Sequence, residues 1–203
     1  MFIAKVTGSL VATQKVESMS GYKLLMVEPY RLEAKQRKSL VTTGRTFVAI
    51  DMLGAGEGHT HEHISAAHSL TTSAAKEAGE RAYQMAGLGP KDMSFAQLYD
   101  CFTPTVLVEL EDLGFCAKGE GGAFVDSGAL KPGGSLPVNT HGGLLSHSHP
   151  GNPGSMFALT ESIWQLRNTA GERQVSNAQH GLVHAQGGIM SSHTALVLSR
   201  DGS

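Results

Sequence analysis

Residues 139–151 combine side chains and backbone freedom of the kind that an acid–base site needs. The segment reads N-T-H-G-G-L-L-S-H-S-H-P-G. Histidine exchanges a proton near neutral pH, glycine lets the backbone approach a ligand closely, and Pro150 fixes the chain directly after His149. Two interpretations follow: a rigid loop that presents a catalytic base, or a surface loop whose histidines face solvent.

The elements around this loop have the alternation of an α/β layer. The patterns predict helices over residues 71–86, 103–114 and 155–168, and strands over residues 95–99, 181–184 and 194–199. A turn-rich loop is predicted over residues 117–134, and residues 135–138 read as extended. The first and last helices each have an apolar stripe that should face the core, made of Ala74, Ala78, Ala82 and Met85, and of Met156, Leu159, Ile163 and Leu166.

The first part of the chain has a different pattern. Residues 2–13, 22–28 and 46–52 are rich in β-branched and apolar side chains and predict three strands, separated by a polar segment at residues 31–39. The run L-G-A-G-E-G closes this part, and no helical pattern of useful length precedes residue 60. We therefore predict a small all-β module over residues 1–58, a junction over residues 59–70 and an α/β domain over residues 71–203.

The α/β part resembles the thiolase superfamily. The pattern N-x-x-G-G-L-L-S-x-x-H-P is similar to the asparagine and histidine loops of its sterol-carrier-protein and lipid-transfer branch. Y-D-C-F at residues 99–102 is similar to that branch's H-D-C-F, and G-L-V-H-A-Q-G-G at residues 181–188 to the glycine-rich end of its last hairpin. The resemblance extends from about residue 60 to residue 200 in the family's order. It implies the C-terminal half of a thiolase fold.

This resemblance implies roles for five residues. His149 takes the place of the histidine that activates a cysteine nucleophile. Tyr99 takes the oxyanion-hole position, where a donor stabilises a thioester oxygen as it gains charge. Asn139 would hold a neighbouring loop or a water, and Gly142 and Gly143 would allow close approach of substrate. The alternatives are a half-buried core tyrosine and ordinary turn residues.

The last hairpin departs from the family pattern. Thiolases carry a second cysteine there as an acid–base group, and this chain has Ala185 at that position. Either His184 or His193 substitutes for it, or the cysteine-dependent step is absent. His184, Gly187 and Gly188 are the substrate-binding candidates of this hairpin. With a tyrosine in the oxyanion-hole position, the reaction type stays open and includes carbon–carbon cleavage without cysteine chemistry.

Residues 1–58 resemble a second family, the vertex proteins of bacterial microcompartments. The match rests on M-x-I-A-K-V-x-G-x-L-V-A-T-x-K, on K-L-L-M-V and on V-A-I-D-M-L-G-A-G-x-G. These proteins are small β-barrels that assemble as pentamers, and the resemblance covers the first half of their pattern. This chain then continues H-T-H-E-H-I-S, so the module should be a partial barrel with unpaired edges.

The three histidines His59, His61 and His63 alternate on an extended segment, which is compatible with zinc binding. The same run is similar to the S-T-H-E-H-I-S segment of lipid-transfer thiolases, where it shapes loops over the site, and we predict no metal. The formal net charge of −2, without a basic run, argues against nucleic acid. No apolar run reaches the roughly 20 residues that span a membrane. Cys101 and Cys116 lack metal-ligand spacing, which favours a reduced, cytoplasmic protein.

Three hypotheses follow. In the first, the α/β part is an acyl-CoA acyltransferase or aldolase half domain, with coenzyme A as substrate carrier and no other cofactor. It lacks a G-x-C-x-G-type nucleophile loop, so a partner subunit or a homo-oligomer would have to complete it. In the second, the chain is a pentameric shell-vertex protein with a thiolase-like extension, associated with a microcompartment. In the third, each module is truncated and the chain does neither.

Overall fold

A computed structural model describes residues 4–10, 24–32, 40–42, 47–50, 54–151 and 153–200. The chain forms two compact units, Met1–Met52 and Leu53–Ser203. Among the described ranges, no helix is long and apolar enough to cross a membrane.

The described residues of the first unit are all in β-strands. These are β1 (Ala4–Leu10), β2 (Leu24–Leu32), β3 (Leu40–Thr42) and β4 (Phe47–Ile50). Strand β2 pairs antiparallel with each of the other three. The short β3 was not predicted, and β2 extends into the segment that was predicted to separate strands. Residues 11–13 and 22–23, at the ends of predicted strands, lie outside the described residues.

The second unit confirms the predicted α/β layer. Its sheet has the order β5-β8-β7-β6, formed by Gly54–His59, Ser192–Ser199, His180–Gly187 and Phe95–Gln97. Strand β6 runs parallel to β7, and the other two pairs are antiparallel. The helices are α1 (Ala75–Ala86), α2 (Thr103–Asp112), α3 (Gly121–Asp126), α4 (Gly143–Ser146) and α5 (Gly154–Leu166).

The sheet has two buried faces. Side chains alternate along a strand, and Leu182, Ala195 and Val197 lie on the face that forms one cluster with residues of α1 and α2. The register pairs His184 with Ala195, which places His184 on this same face. Buried Phe95 and Val183 lie outside that cluster and on the other face, to which α5 packs.

Strand β5 falls in the second unit, whereas the sequence suggested that this run closes the first module. The structural reason is its G-x-G-x-G repeat. A Cβ added to Gly56 would lie 2.0 Å from the carbonyl oxygen of Ala78. Added to Gly54 or Gly58, it would lie 2.2 Å from the Ala82 carbonyl oxygen or 2.4 Å from that of Ala74, which caps α1. Glycine is required because the helix backbone rests directly on the strand.

Two details of the helix predictions were wrong. Residues 121–126 form α3 inside the predicted turn-rich loop. The predicted apolar stripe of α5 is only partly its buried face, since Leu166 is buried but Leu159 and Ile163 are half-buried. Met156 of that stripe is 56% exposed, while Glu161 and Gln165 are buried. Polar partners within the fold explain why these two side chains can leave water. On α1, Met85 is likewise 64% exposed, although the three alanines of its stripe are buried.

Candidate active site

Strand β6 anchors the loop at residues 139–151. The backbone N–H of Asn139 donates to the Ala96 carbonyl at 3.0 Å, and the Asn139 side-chain Oδ1 accepts from the Leu98 N–H at 2.7 Å. Asn139 has φ 50°, a left-handed conformation that asparagine tolerates better than most residues. Its side chain therefore fastens the start of the loop to the end of β6.

Asp100 fixes the next part of the loop. Its carboxylate is buried and accepts a hydrogen bond from the Leu144 N–H at 2.7 Å, at the start of α4. A Cβ on Gly143 would lie 2.1 Å from Asp100 Oδ2, and both Gly142 (φ 103°) and Gly143 (φ 67°) have left-handed conformations. Gly143 thus permits approach to a carboxylate of the protein itself, next to the predicted site.

The structure brings Tyr99 and His149 together. The Tyr99 hydroxyl lies 3.4 Å from His149 Nε2, and the two rings meet edge to face with centroids 5.8 Å apart. The Gly151 N–H donates to His149 Nδ1 at 3.4 Å. With Nδ1 accepting, the ring hydrogen of a neutral His149 is on Nε2, which then donates to the tyrosine oxygen. The Tyr99 O–H remains free to donate to a bound molecule.

Tyr99 is suited to donate. It is half-buried, and burial raises the pKa of its hydroxyl, with further increases from the nearby Cys101 thiol and the Glu109 carboxyl. The hydroxyl therefore stays protonated at neutral pH. His149 is exposed and can exchange its proton with solvent or with a substrate. A fixed donor beside an imidazole can stabilise a developing oxyanion and can transfer a proton.

The last hairpin places its candidates differently. His184 is 1% exposed, so its ring is an internal group rather than part of an open surface. It nevertheless lines a small cavity with Tyr99 and Asp100. Gly188 (φ 61°) forms the turn, and a Cβ on Gly187 would meet nothing within 4 Å. No hydrogen bond found in the described part of the chain joins either glycine to Tyr99 or His149.

Cys101 connects the hairpin to the segment after β6. Its Sγ accepts a hydrogen bond from Gln186 Nε2 at 3.5 Å and lies 3.8 Å from the Thr105 hydroxyl. Burial raises the pKa of the thiol. A half-buried thiol that stays protonated is a poor nucleophile.

Sequence reasoning missed a polar network beneath the loop. Glu161 Oε1 accepts from Thr140 Oγ1 at 2.8 Å and from Gln165 Nε2 at 2.9 Å, and Arg173 Nη2 donates to Glu161 Oε2 at 3.0 Å. Burial opposes the charge of Glu161, but the bonds from Arg173, Gln165 and Thr140 lower its pKa overall. The one signal was Glu161 as the single charged residue of α5.

An outer pocket of about 460 Å³ adjoins this network. His147 lies in it, with its ring 5.6 Å from that of His141 and 5.3 Å from that of Phe157. His141 also lies 3.0 Å from Gln97 Oε1, and burial lowers its pKa. Both histidines therefore lie beside the candidate site without contacting the Tyr99 hydroxyl.

The alternating histidines of residues 59–63 make local contacts. His61 Nδ1 lies 2.9 Å from the Thr60 hydroxyl, and His63 Nδ1 lies 2.8 Å from the Ser65 hydroxyl. In the ranges that the structure describes, no group of three or more His, Cys, Asp or Glu side chains is arranged to hold a metal ion.

Comparison with known families gives two matches. The thiolase C-terminal domain-like family model matches residues 56–200, and the ethanolamine utilisation protein EutN/carboxysome model matches residues 1–83. The two matches overlap from β5 to α1, the part where strand and helix backbones are in closest contact.

Curated relatives match the same α/β region. The chain is 40% identical over 128 residues to sterol carrier protein 2 of Rattus norvegicus, covering 63% of this chain and 23% of that protein. It is 42% identical over 114 residues (56% of this chain and 28% of that protein) to 17-hydroxy-3-oxo-4-pregnene-20-carboxyl-CoA lyase of Mycobacterium tuberculosis. It is 41% identical over 123 residues (61% and 30%) to the steroid side-chain-cleaving aldolase of Thermomonospora curvata. The chain thus spans less than a third of the length of each relative.

Solved structures show the same relationship. The Ltp2-ChsH2(DUF35) aldolase superposes with a TM-score of 0.67 at 32% identity, covering 88% of this chain and 44% of that chain. The SCP2-thiolase like protein type 1 of Mycobacterium smegmatis has a TM-score of 0.56 at 24% identity, covering 75% and 29%, and supports the fold alone. With the match over residues 56–200, the chain belongs to the thiolase C-terminal domain-like family.

Proposed function

We propose that the α/β unit is a catalytic half domain for acyl-CoA substrates, an acyltransferase or aldolase that a partner must complete. Tyr99 supplies the oxyanion-hole donor and His149 supplies the base. The observation that carries this proposal is the 3.4 Å contact between the Tyr99 hydroxyl and His149 Nε2. It joins two segments 50 residues apart in the chain, both of which match the family's pattern.

Carbon–carbon cleavage is the better supported of the two reactions. The hairpin position where thiolases have a cysteine is Ala185, and the Cys101 thiol has a raised pKa. Two of the relatives are named as a lyase and a side-chain-cleaving aldolase, and the solved structure with the TM-score of 0.67 is an aldolase. Tyrosine and histidine suffice for aldol chemistry, whereas thiolysis needs thiolates.

The roles follow from the geometry. On a 3-hydroxyacyl-CoA, His149 removes the hydroxyl proton through Nδ1, which exchanges its 3.4 Å hydrogen bond from the Gly151 N–H for the substrate. The bond between the α and β carbons breaks, and its electron pair passes to the α carbon. The products are a carbonyl compound and the enolate of the shortened acyl-CoA. The Tyr99 O–H stabilises the enolate oxygen, and His149 returns its proton to the α carbon. Atoms and charge balance without another reactant.

Completion by a second chain is part of the proposal. Neither a nucleophile loop nor a second thiolase half is encoded in these 203 residues, and the curated relatives are more than three times longer than the matched region. A partner subunit or a further copy of this chain would cover the acyl-CoA. We infer a cytoplasmic location, or one inside a microcompartment, for such a complex.

The test compares the chain alone with a completed complex. The purified chain should not turn over acetoacetyl-CoA with CoA, or a 3-hydroxyacyl-CoA, above the buffer rate. Mixing it with the amino-terminal half of the Thermomonospora curvata aldolase should restore cleavage of the 3-hydroxyacyl-CoA, and Tyr99→Phe should abolish the gain. Turnover by the chain alone that alkylation of Cys101 or Cys116 removes would assign the chemistry to cysteine.

A second candidate function rests on the match of residues 1–83 to the EutN/carboxysome family. A shell-vertex role would require the first unit to complete a barrel and form a five-membered ring. Strand β5 lies within that match, yet it pairs with β8 of the α/β sheet. We therefore expect no pentamer. The mass of the purified protein in solution decides, since a pentamer favours the vertex role and a dimer favours the half domain.

A further inference from the structure

Three buried side chains contact one another in a row, the Glu109 chain, on the face of the sheet that packs against α1 and α2. Glu109 of α2 is 0% exposed, and His184 of β7 and His193 of β8 are each 1% exposed. His184 Nδ1 lies 3.3 Å from Glu109 Oε2, and His184 Nε2 lies 2.9 Å from His193 Nδ1. His193 Nε2 lies 3.1 Å from the Met190 carbonyl oxygen. The imidazole rings are stacked, with centroids 5.1 Å apart.

The positions of the hydrogens in the Glu109 chain follow from its last contact, between His193 and the Met190 carbonyl. A backbone carbonyl only accepts, so His193 Nε2 must carry a hydrogen and donate to Met190. Burial, and then the neighbouring His184, lower the pKa of His193 to about 4, so its ring is neutral and its Nδ1 is bare. That nitrogen can only accept, which requires a hydrogen on His184 Nε2. His184 Nδ1 is then the one ring nitrogen whose state is open.

One proton must lie between His184 Nδ1 and Glu109. If both were bare, a carboxylate and a nitrogen lone pair would face each other without a hydrogen inside the protein, which is costly. If both were protonated, an uncompensated positive charge would be buried beside a neutral carboxyl group, which is also costly. The remaining arrangements are a neutral Glu109 carboxyl beside a neutral His184, and a carboxylate beside an imidazolium. They differ by movement of one proton across a 3.3 Å gap, and both are neutral overall.

We propose that Glu109, His184 and His193 hold one shared proton, and that the Glu109 chain positions Tyr99. The link to Tyr99 is spatial. His184 lines the same small cavity as Tyr99 and Asp100. The Tyr99 backbone amide is near enough to the Glu109 carboxyl to favour its charged form. The second half of this inference rests on the proposed function, whereas the first half does not.

The surrounding charges favour an overall neutral pair. Burial is the main influence on Glu109 and raises its pKa, His184 lowers it, and Asp100 raises it. Tyr99 and Cys101 also face Glu109, and its negative charge raises the pKa of both. Asp112 and His61 act on the far end, at His193. No lysine or arginine is among the groups described above as shifting the pKa of Glu109 or His193. A proton is therefore the group that neutralises Glu109.

The test counts the protons that are released when the isolated chain unfolds at pH 8 in weakly buffered denaturant. An unfolded glutamate and two unfolded histidines hold essentially no proton there, so wild type should release about one. Glu109→Gln should release about one proton fewer. Its amide can donate to the bare Nδ1 of a neutral His184, but it has no proton to release. The matched control, Glu161→Gln, removes an equally buried carboxylate that is already ionised beside Arg173, so it should release as many as wild type.

Equal release from wild type and Glu109→Gln would overturn the shared proton. If Glu109→Gln does not fold, nitrogen-15 spectra of wild type at pH 8 decide. We expect both histidines to be protonated at Nε2, and His184 Nδ1 to lack the shift of a free bare nitrogen. A free bare nitrogen at that position would overturn the inference. In the completed enzyme, Glu109→Gln should lower kcat about 10-fold with little change in KM, which is less than the 10²–10⁴-fold of a direct acid–base group. An unchanged kcat would remove the positioning role and leave the proton count intact.

Discussion

The two faces of the α/β sheet each bury one glutamate, and the pKa of the two glutamates is shifted in opposite directions. Glu109, on the face covered by α1 and α2, and Glu161, on the face covered by α5, are both 0% exposed. Burial raises the pKa of Glu109 by more than His184 lowers it, whereas Arg173 and two neutral donors outweigh burial and give Glu161 a lowered pKa. Arginine does not release its proton, so it fixes a carboxylate. Histidine can share a proton with one.

The difference indicates what each face contributes to the site between them. The Glu161 network has one charge state near neutral pH, and it ties Thr140 of the loop to Arg173. It acts as a fixed support. The Glu109 chain has two arrangements of one proton and lies under Tyr99. We interpret the pair of half-buried Tyr99 and exposed His149 as the reacting group that both faces hold in place.

The largest effect should come from breaking the site while leaving both faces intact. In the completed enzyme, His149→Ala should lower kcat by about 10²–10⁴-fold, because the base is lost. His147→Ala is the matched control, since its ring lies two residues away against His141 and Phe157. Steady-state kinetics measure both variants. Equal losses would indicate a folding defect or a different base.

The next largest effect should come from removing Glu161, the centre of the fixed support. Glu161→Ala should lower the free energy of unfolding by about 2–4 kcal/mol, because it leaves buried Thr140 and Gln165 groups without their acceptor. The ion pair adds little to this figure because the Arg173 side chain is 44% exposed and screened by solvent. Urea unfolding gives the value. Glu172→Ala, which removes an exposed carboxylate of the same region, should change stability by less than about 0.5 kcal/mol.

Lowering the pH should affect the two faces over different pH ranges, because His193 lies on the face that carries Glu109. Its pKa is lowered to about 4 from 6.5, so the unfolded chain binds this proton more readily than the fold does. Stability should therefore fall as the pH falls from 6.5 towards 4, by about 3 kcal/mol in all. Urea unfolding across this range measures the slope, and His193→Gln should reduce it. Glu161, with its lowered pKa, loses its contribution only below about pH 4.5. Identical slopes for wild type and His193→Gln would contradict this account.

The smallest effect concerns the packing of α1. Gly56→Ala should cost about 1–3 kcal/mol of stability, because its Cβ would overlap the Ala78 carbonyl and push the helix from the sheet. Gly122→Ala is the matched control, since a Cβ there meets nothing within 4 Å and the residue lies in α3. That substitution should be neutral or slightly stabilising. Thermal unfolding of the two variants tests the difference.

Local patterns in the sequence were enough to predict most of the α/β elements, whereas the roles of Tyr99 and His149 came from the resemblance to the thiolase superfamily. The patterns could not predict the strand at residues 54–59, because glycine-rich runs read as turns unless the helix above them is known. The buried face of α5 was misjudged for a related reason. Glu161 and Gln165 reach partners that are distant in sequence, which apolar periodicity ignores. The Glu109 chain depends on the β7–β8 register, which no spacing in the sequence specifies.

The central claim is that Tyr99 and His149 act as one catalytic unit, and a double-mutant cycle tests it most directly. We would measure kcat/KM of the completed enzyme for Tyr99→Phe, His149→Ala and the double variant. If the two groups work on the same proton and the same oxygen, the double variant should lose little more activity than the worse single variant. If the two losses multiply, the residues act independently, and the site proposed here is contradicted.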